Sequence, residues 1–183
     1  MNLVQSLIDL EKNESIHLGR ILILIAEFSK GRKSEVKGIT KLAKLDFLLR
    51  YPVYLEKALA AKGKEMKKAE LKDFERTSVE SKMVRYRYGP WDFRYRKFLN
   101  ILIAKGLIYY RTEGNTIMIG ITLKGLEIAD SFREDDSLKD VFERARVLRV
   151  NFDIKATRLK SFIYETFPEI GSLKYGQSIS YGN

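Results

Sequence analysis

The 183-residue sequence predicts a mainly helical chain with a small antiparallel β component, class α+β. Three observations carry that expectation. Apolar residues recur at helical spacing over 14–30 and 39–50. A further helical pattern ends at Gly106 and runs directly into two β-rich stretches. Thr122 then stands where a helix cap belongs, with apolar residues spaced behind it. Hydrophobic residues make up 45% of the chain and aromatics 11%, enough to build a core and too many for a disordered chain.

From Glu14 to Lys30, Ile16, Leu18, Ile21, Leu22, Ile23, Leu24, Ile25 and Phe28 put apolar groups on nearly every face, which predicts a central buried helix. Gly31-Arg32-Lys33-Ser34 breaks it and reads as a basic loop. In the second helix, Ile39, Leu42, Leu45 and Leu49 line one face, and Lys41, Lys44 and Asp46 fall elsewhere on the wheel. Pro52 starts a third helix, Val53 to Ala61, closed by Gly63. Residues 62–78 are charged and only weakly periodic, so they read as a linker or an exposed helix.

Val79 to Tyr88 suits extended structure, Gly89-Pro90 is a turn signal, and a long helix is expected from Trp91 to Lys105. Leu107 to Arg111 and Thr116 to Ile121 form a hairpin around Thr112-Glu113-Gly114-Asn115. Helix, hairpin and helix make the back half of a winged helix, and the helices at 14–30 and 38–50 complete it. The expected fold is therefore a winged-helix core with a two-stranded β-hairpin wing over 1–132. A C-terminal helical extension is expected over 133–170, and a flexible tail over 171–183.

Composition narrows the chemistry. The chain has no cysteine, which removes disulfides, thiolate metal sites and a cysteine nucleophile and fits a cytoplasmic protein. Asp9, Glu11 and Glu14 interrupt the N-terminal stretch, so no secretory signal is read there. The longest apolar run, Ile21 to Ala26, is far short of the ~20 residues that span a bilayer, so no membrane-spanning segment is read, and no membrane is among the expected partners. A net charge of +10 favours an acidic partner, whether nucleic acid, an acidic protein face or an anionic membrane, against the plain reading of a basic, solvated surface.

Motifs for catalysis are weak. His17 is the only histidine and has no recognisable nucleophile or orienting acid beside it. Gly31-Arg32-Lys33-Ser34 lacks the order and the earlier glycine of a phosphate loop. The Glu-x-Lys triplets at 35–37, 70–72 and 80–82 lack the converging carboxylates that two-metal nuclease chemistry needs. Glu134-Asp135-Asp136 has no calcium-loop spacing. No catalytic residue, metal ligand or cofactor site is assigned.

Residues 82–97, KMVRYRYGPWDFRYRK, differ from everything around them. Basic residues interleave with Tyr86, Tyr88, Trp91, Phe93 and Tyr95, against one acid, Asp92. In extended Arg85-Tyr86-Arg87-Tyr88, arginines and tyrosines point to opposite faces. Guanidinium groups so presented can meet carboxylates or phosphates in bidentate fashion. Arg85, Tyr86, Arg87, Tyr88, Trp91, Arg94, Tyr95, Arg96 and Lys97 are the candidate partner or DNA interface. The competing reading is structural, with the rings closing the core and the arginines solvated.

KLDFLLRYP at 44–52, SKMVRYRYGPWDFRYRKFLNILIAKGLI at 81–108 and ITLKGLEIA at 121–129 resemble the middle component of the ABC-three-component bacterial defence systems of the Lamassu type. The resemblance covers most of 16–132. It implies a small non-enzymatic adaptor that binds an SMC/Rad50-like ATPase and an effector subunit in a complex that senses phage or plasmid DNA. DNA contact, directly or through the complex, and homodimerisation stay open. The alternative is a winged-helix transcription regulator, with Arg94, Arg96 and Lys97 in the first half of its recognition helix.

Overall fold

In the computed structural model, residues 3–31, 35–65, 83–86, 89–91 and 93–179 are described; for 3–13, 84–86, 89 and 91 the description is of the backbone. The chain is mainly helical with a small three-stranded antiparallel sheet. In order it forms α1 (Leu3–Ser29), β1 (Glu35–Lys37), α2 (Ile39–Arg50), α3 (Pro52–Ala60), β2 (Val84–Tyr86) and β3 (Gly89–Trp91). There follow α4 (Tyr95–Ala104), β4 (Ile108–Glu113), β5 (Thr116–Ile121), α5 (Leu123–Ser131), α6 (Lys139–Phe152), α7 (Ala156–Thr166) and α8 (Pro168–Ser172), with two short 3-10 turns between α5 and α6.

The apolar run of α1 dictates its place. Ile21 through Ala26 and Phe28 are all buried, because a helix apolar on every face must be covered on every face. It packs against α6, α5, α4, β1 and β5. Beside it α2 meets α3, α6, α7, β1 and β3, so both helices are central.

The sheet order is β1-β5-β4. Val36, Ile119 and Tyr110 align across it and share one face, and Glu35, Gly120 and Tyr109 align on the other. The β4–β5 loop is Gly114-Asn115, with Gly114 at φ 58°, the primed-turn arrangement that matches strand twist. Gly106, at φ 69°, ends α4. The Thr122 hydroxyl accepts from the Gly125 N–H and caps α5.

Three expectations need correction. The expected two-stranded hairpin is part of a three-stranded sheet: β1 pairs with β5 through Val36 and Ile119, although Glu-Val-Lys carries no strand pattern of its own. Gly89-Pro90 is not the turn but part of β3, paired with β2 in the register Val84↔Trp91. The intervening 87–88, like 79–82 of the expected extended run, lie outside the described residues. Helix α4 consequently starts at Tyr95 and not at Trp91, because position 91 is spent on the ladder.

The C-terminal helices share the core of the first 132 residues. Phe142, Ala145, Leu148 and Phe152 from α6, Leu159 and Ile163 from α7, and Phe167 and Ile170 join the buried cluster that holds α1 and α2. In the tail, Ile179 is buried and its N–H donates to the Met83 carbonyl at 2.7 Å. No helix among the described residues is long and apolar enough to cross a membrane.

Candidate functional site

The arrangement begins with α2. Every residue from Lys41 to Arg50 is buried, including Lys41, Lys44, Asp46 and Arg50. Sequence reasoning set the first three of these apart from the apolar face. The packing of α6, α7 and β3 covers that side too, so each charge has to be answered inside the protein.

Asp46, fully buried, is the centre of the answer. Arg20 Nε of α1 donates to its Oδ1 at 2.8 Å, the Tyr95 hydroxyl of α4 donates to Oδ2, and Arg50 Nε stands 3.9 Å from Oδ2. Burial opposes the negative charge, but Arg20, Arg50 and the bonded hydroxyl overcome it and hold the carboxyl below the usual aspartate value. Burial and the adjacent carboxylate push the Tyr95 hydroxyl well above its ordinary value, so it remains a donor.

His17 lies one turn along α1. Its Nδ1 faces Arg20 Nη2 at 2.6 Å and Arg50 Nη2 at 3.1 Å. A nitrogen receiving two guanidinium groups must be the lone-pair nitrogen, which assigns the ring proton to Nε2. Arg94 Nη2, 3.4 Å from Nε2, is then a second donor facing a donor. Its guanidinium lies over the Phe98 ring, 5.3 Å from centroid to Cζ, on which His17 also stacks at 5.5 Å. Burial first, then Arg20, Arg50 and Arg94, bring the His17 pKa down to about 3, so the imidazole is neutral.

The other buried charges of α2 face the C-terminal helices. Lys41 Nζ pairs with Asp153 at 2.6 Å. Lys44 is 2% exposed and donates to the Thr40 carbonyl at 3.1 Å, and among the described residues no carboxylate reaches it. Burial and the nearby Lys160 lower its pKa to about 8.

Above this interior runs the candidate segment. Arg85 and Tyr86 lie in β2 and Trp91 in β3; Arg87 and Tyr88 lie outside the described residues. The hairpin packs on α2 through β3. Its leading end is held at Met83, whose N–H donates to the Tyr51 hydroxyl at 2.8 Å. Arg96 and Lys97 are exposed on α4, with Lys97 paired to Glu14. Two candidate interface residues turn inward instead. Tyr95 is 1% exposed and cannot touch a partner, and Arg94 is half-buried against His17 and Phe98. The helix phase explains Tyr95: it and Phe98 are three residues apart and share the core face of α4.

The structure thus brings Arg94 and Tyr95 together with His17, Arg20, Asp46 and Arg50, four residues that sequence reasoning did not join. A signal for them exists: His17 and Arg20 are polar positions on the flank of a helix apolar on nearly every face, and a buried polar position needs a partner. Among the described residues no group of histidine, aspartate and glutamate is arranged to hold a metal ion.

No protein-family model matches the chain, and no curated protein or solved structure matches it.

Proposed function

We propose that this chain is a non-catalytic adaptor subunit that docks through residues 85–97 onto a larger partner, an ATPase of the SMC/Rad50 kind in a Lamassu-type defence complex that also holds an effector. The fold proposed for it is a winged helix. Supporting that fold are the order α1-β1-α2-α4-β4-β5 and the sheet order β1-β5-β4, with 51–94 inserted ahead of the third helix.

The single observation that supports the docking reading is that the basic and aromatic segment forms a strand pair whose second strand packs on α2. A backbone already paired in strands would dock without the cost of ordering a loop on binding. The groove-reading alternative is weakened by the same geometry. Arg94, at the start of the would-be recognition helix, is turned onto Phe98, and Arg111 on β4 is held by Glu35 through Nε at 2.8 and 2.9 Å. Exposed Arg96 and Lys97 are what favours DNA binding as a second reading.

Co-expression with the ATPase encoded beside it tests the proposal. A complex that survives size exclusion at micromolar concentration, and is lost on Arg85→Ala with Arg87→Ala while the circular dichroism spectrum is unchanged, supports the adaptor. Separate migration of the two wild-type proteins removes it. Salt-dependent duplex binding lost in the same double variant, with no ATPase complex, identifies the regulator instead.

A further inference from the structure

The chain around α8 and the chain after it are held very differently. Phe167 and Ile170 are fully buried, and the Phe167 ring meets the Tyr54 ring edge-on, 4.9 Å between centroids, so α8 belongs to the core. The next stretch, Lys174 to Ser178, is exposed throughout. A turn organises it. The Gln177 N–H donates to the Lys174 carbonyl at 3.0 Å, the Lys174 N–H donates to Gln177 Oε1 at 3.0 Å, and Gly176 takes the left-handed conformation at φ 83°. Ile179 then re-enters the interior, 1% exposed, and its N–H donates to the Met83 carbonyl at 2.7 Å.

The strap 174–179 is therefore retained chiefly by one buried side chain and one interior hydrogen bond. Opposing closure is the ordering of five exposed residues that bury little in return. Burying one isoleucine and making one net hydrogen bond offset the ordering of about two or three residues, so the closed strap is marginal where α8 is not. Met83 makes its opening consequential. That residue is fully buried and precedes β2, and its N–H donates to the Tyr51 hydroxyl at 2.8 Å. When Ile179 leaves, the Met83 carbonyl loses its donor, and a buried acceptor so deprived is costly until water reaches it. The strap and the chain entering β2 thus open together.

We propose that residues 174–179 form a latch: it opens as a unit while the rest of the fold stays closed, and its opening releases Met83 and the start of β2. The latch goes beyond the docking reading and acts whether or not residues 85–97 meet a partner.

Native-state hydrogen exchange on the full chain, resolved to single amides, tests the latch. The Ile179 and Met83 amides are expected to share one protection factor, roughly a hundredfold lower than that of the Leu45–Leu49 amides of α2, and to respond little to urea below the unfolding transition. Gly176→Ala supplies the perturbation. A Cβ there meets nothing within 4 Å, so the substitution strains the turn and leaves the core as it was. It is expected to speed exchange at Ile179 and Met83 together by roughly tenfold and to leave α2 unchanged. Protection at Ile179 and Met83 equal to that of α2, with the same urea dependence, overturns the proposal, because the strap then opens only when the whole molecule does. Fast exchange at Ile179 beside a Met83 as protected as α2 overturns it equally, and so does a Gly176→Ala effect that reaches α2 in full.

Discussion

His17 shows how a residue with an ordinary chemistry is given an extraordinary environment. Three guanidinium groups and a phenyl ring surround it, and its pKa drops from 6.5 to about 3. The unfolded chain takes up a proton below about pH 6.5, and the folded chain refuses it until about pH 3. The stability that the neutral imidazole contributes is therefore complete above about pH 6.5 and is lost as the pH falls toward 3. His17→Gln keeps a hydrogen-bonding side chain and removes the titration. Its urea midpoint is expected to fall less steeply than that of the wild type below about pH 6.5. Parallel curves for the two proteins would refute the argument.

At the scale of the element, α2 carries a penalty that can be relieved. Lys44 is protonated and buried, its folded pKa of about 8 lying below the 10.5 of the free side chain. The folded state disfavours the proton, so the penalty is present below about pH 8 and fades as the pH rises toward 10.5. Lys44→Met fills the same volume without the charge and is expected to stabilise the protein at neutral pH by about 1–2 kcal/mol, measured by urea denaturation. The advantage should shrink at pH above 8, where the wild-type amine gives up its proton. Helix α5 shows the opposite case. A Cβ on Gly125 would lie 2.0 Å from the Leu107 carbonyl oxygen, a backbone atom that cannot step aside. Gly125→Ala is expected to cost about 1–3 kcal/mol, seen as a lower melting temperature, despite alanine's better helix propensity.

For the molecule as a whole, the C-terminal helices are part of the core and not an ornament on it. Leu159, Ile163, Phe167, Ile170 and Ile179 are each at most 1% exposed. Burial of each such side chain contributes about 1.5–3 kcal/mol, and together they rival the net stability of an entire domain. Ion pairs and cations bind the same layers: Lys41 with Asp153, Arg133 with buried Glu27 at 2.6 Å, and Lys62 over the Phe152 ring at 4.6 Å. A chain truncated after Phe152 is expected to show no cooperative melting transition in calorimetry. A truncated chain that melts as one unit near the wild-type temperature would contradict this.

What could be read from residues alone was what local chemistry dictates. Gly106 ends a helix because its φ is positive, Thr122 caps one because its hydroxyl meets a free N–H, and the β4–β5 hairpin follows from alternation and Gly114. The apolar run of α1 likewise announced a buried helix. Partner choice over long separations was beyond such reading. Glu-Val-Lys becomes a strand because β5, some eighty residues later, offers its edge. Lys41, Lys44 and Asp46 look like a solvent face until α6 and α7 cover them. Tyr95 and Arg94 look like interface residues until the register of β3 delays the helix and turns them toward Asp46 and Phe98. Caps, turns and periodicity act within a few residues, whereas the burial of a charge depends on which distant surface closes over it.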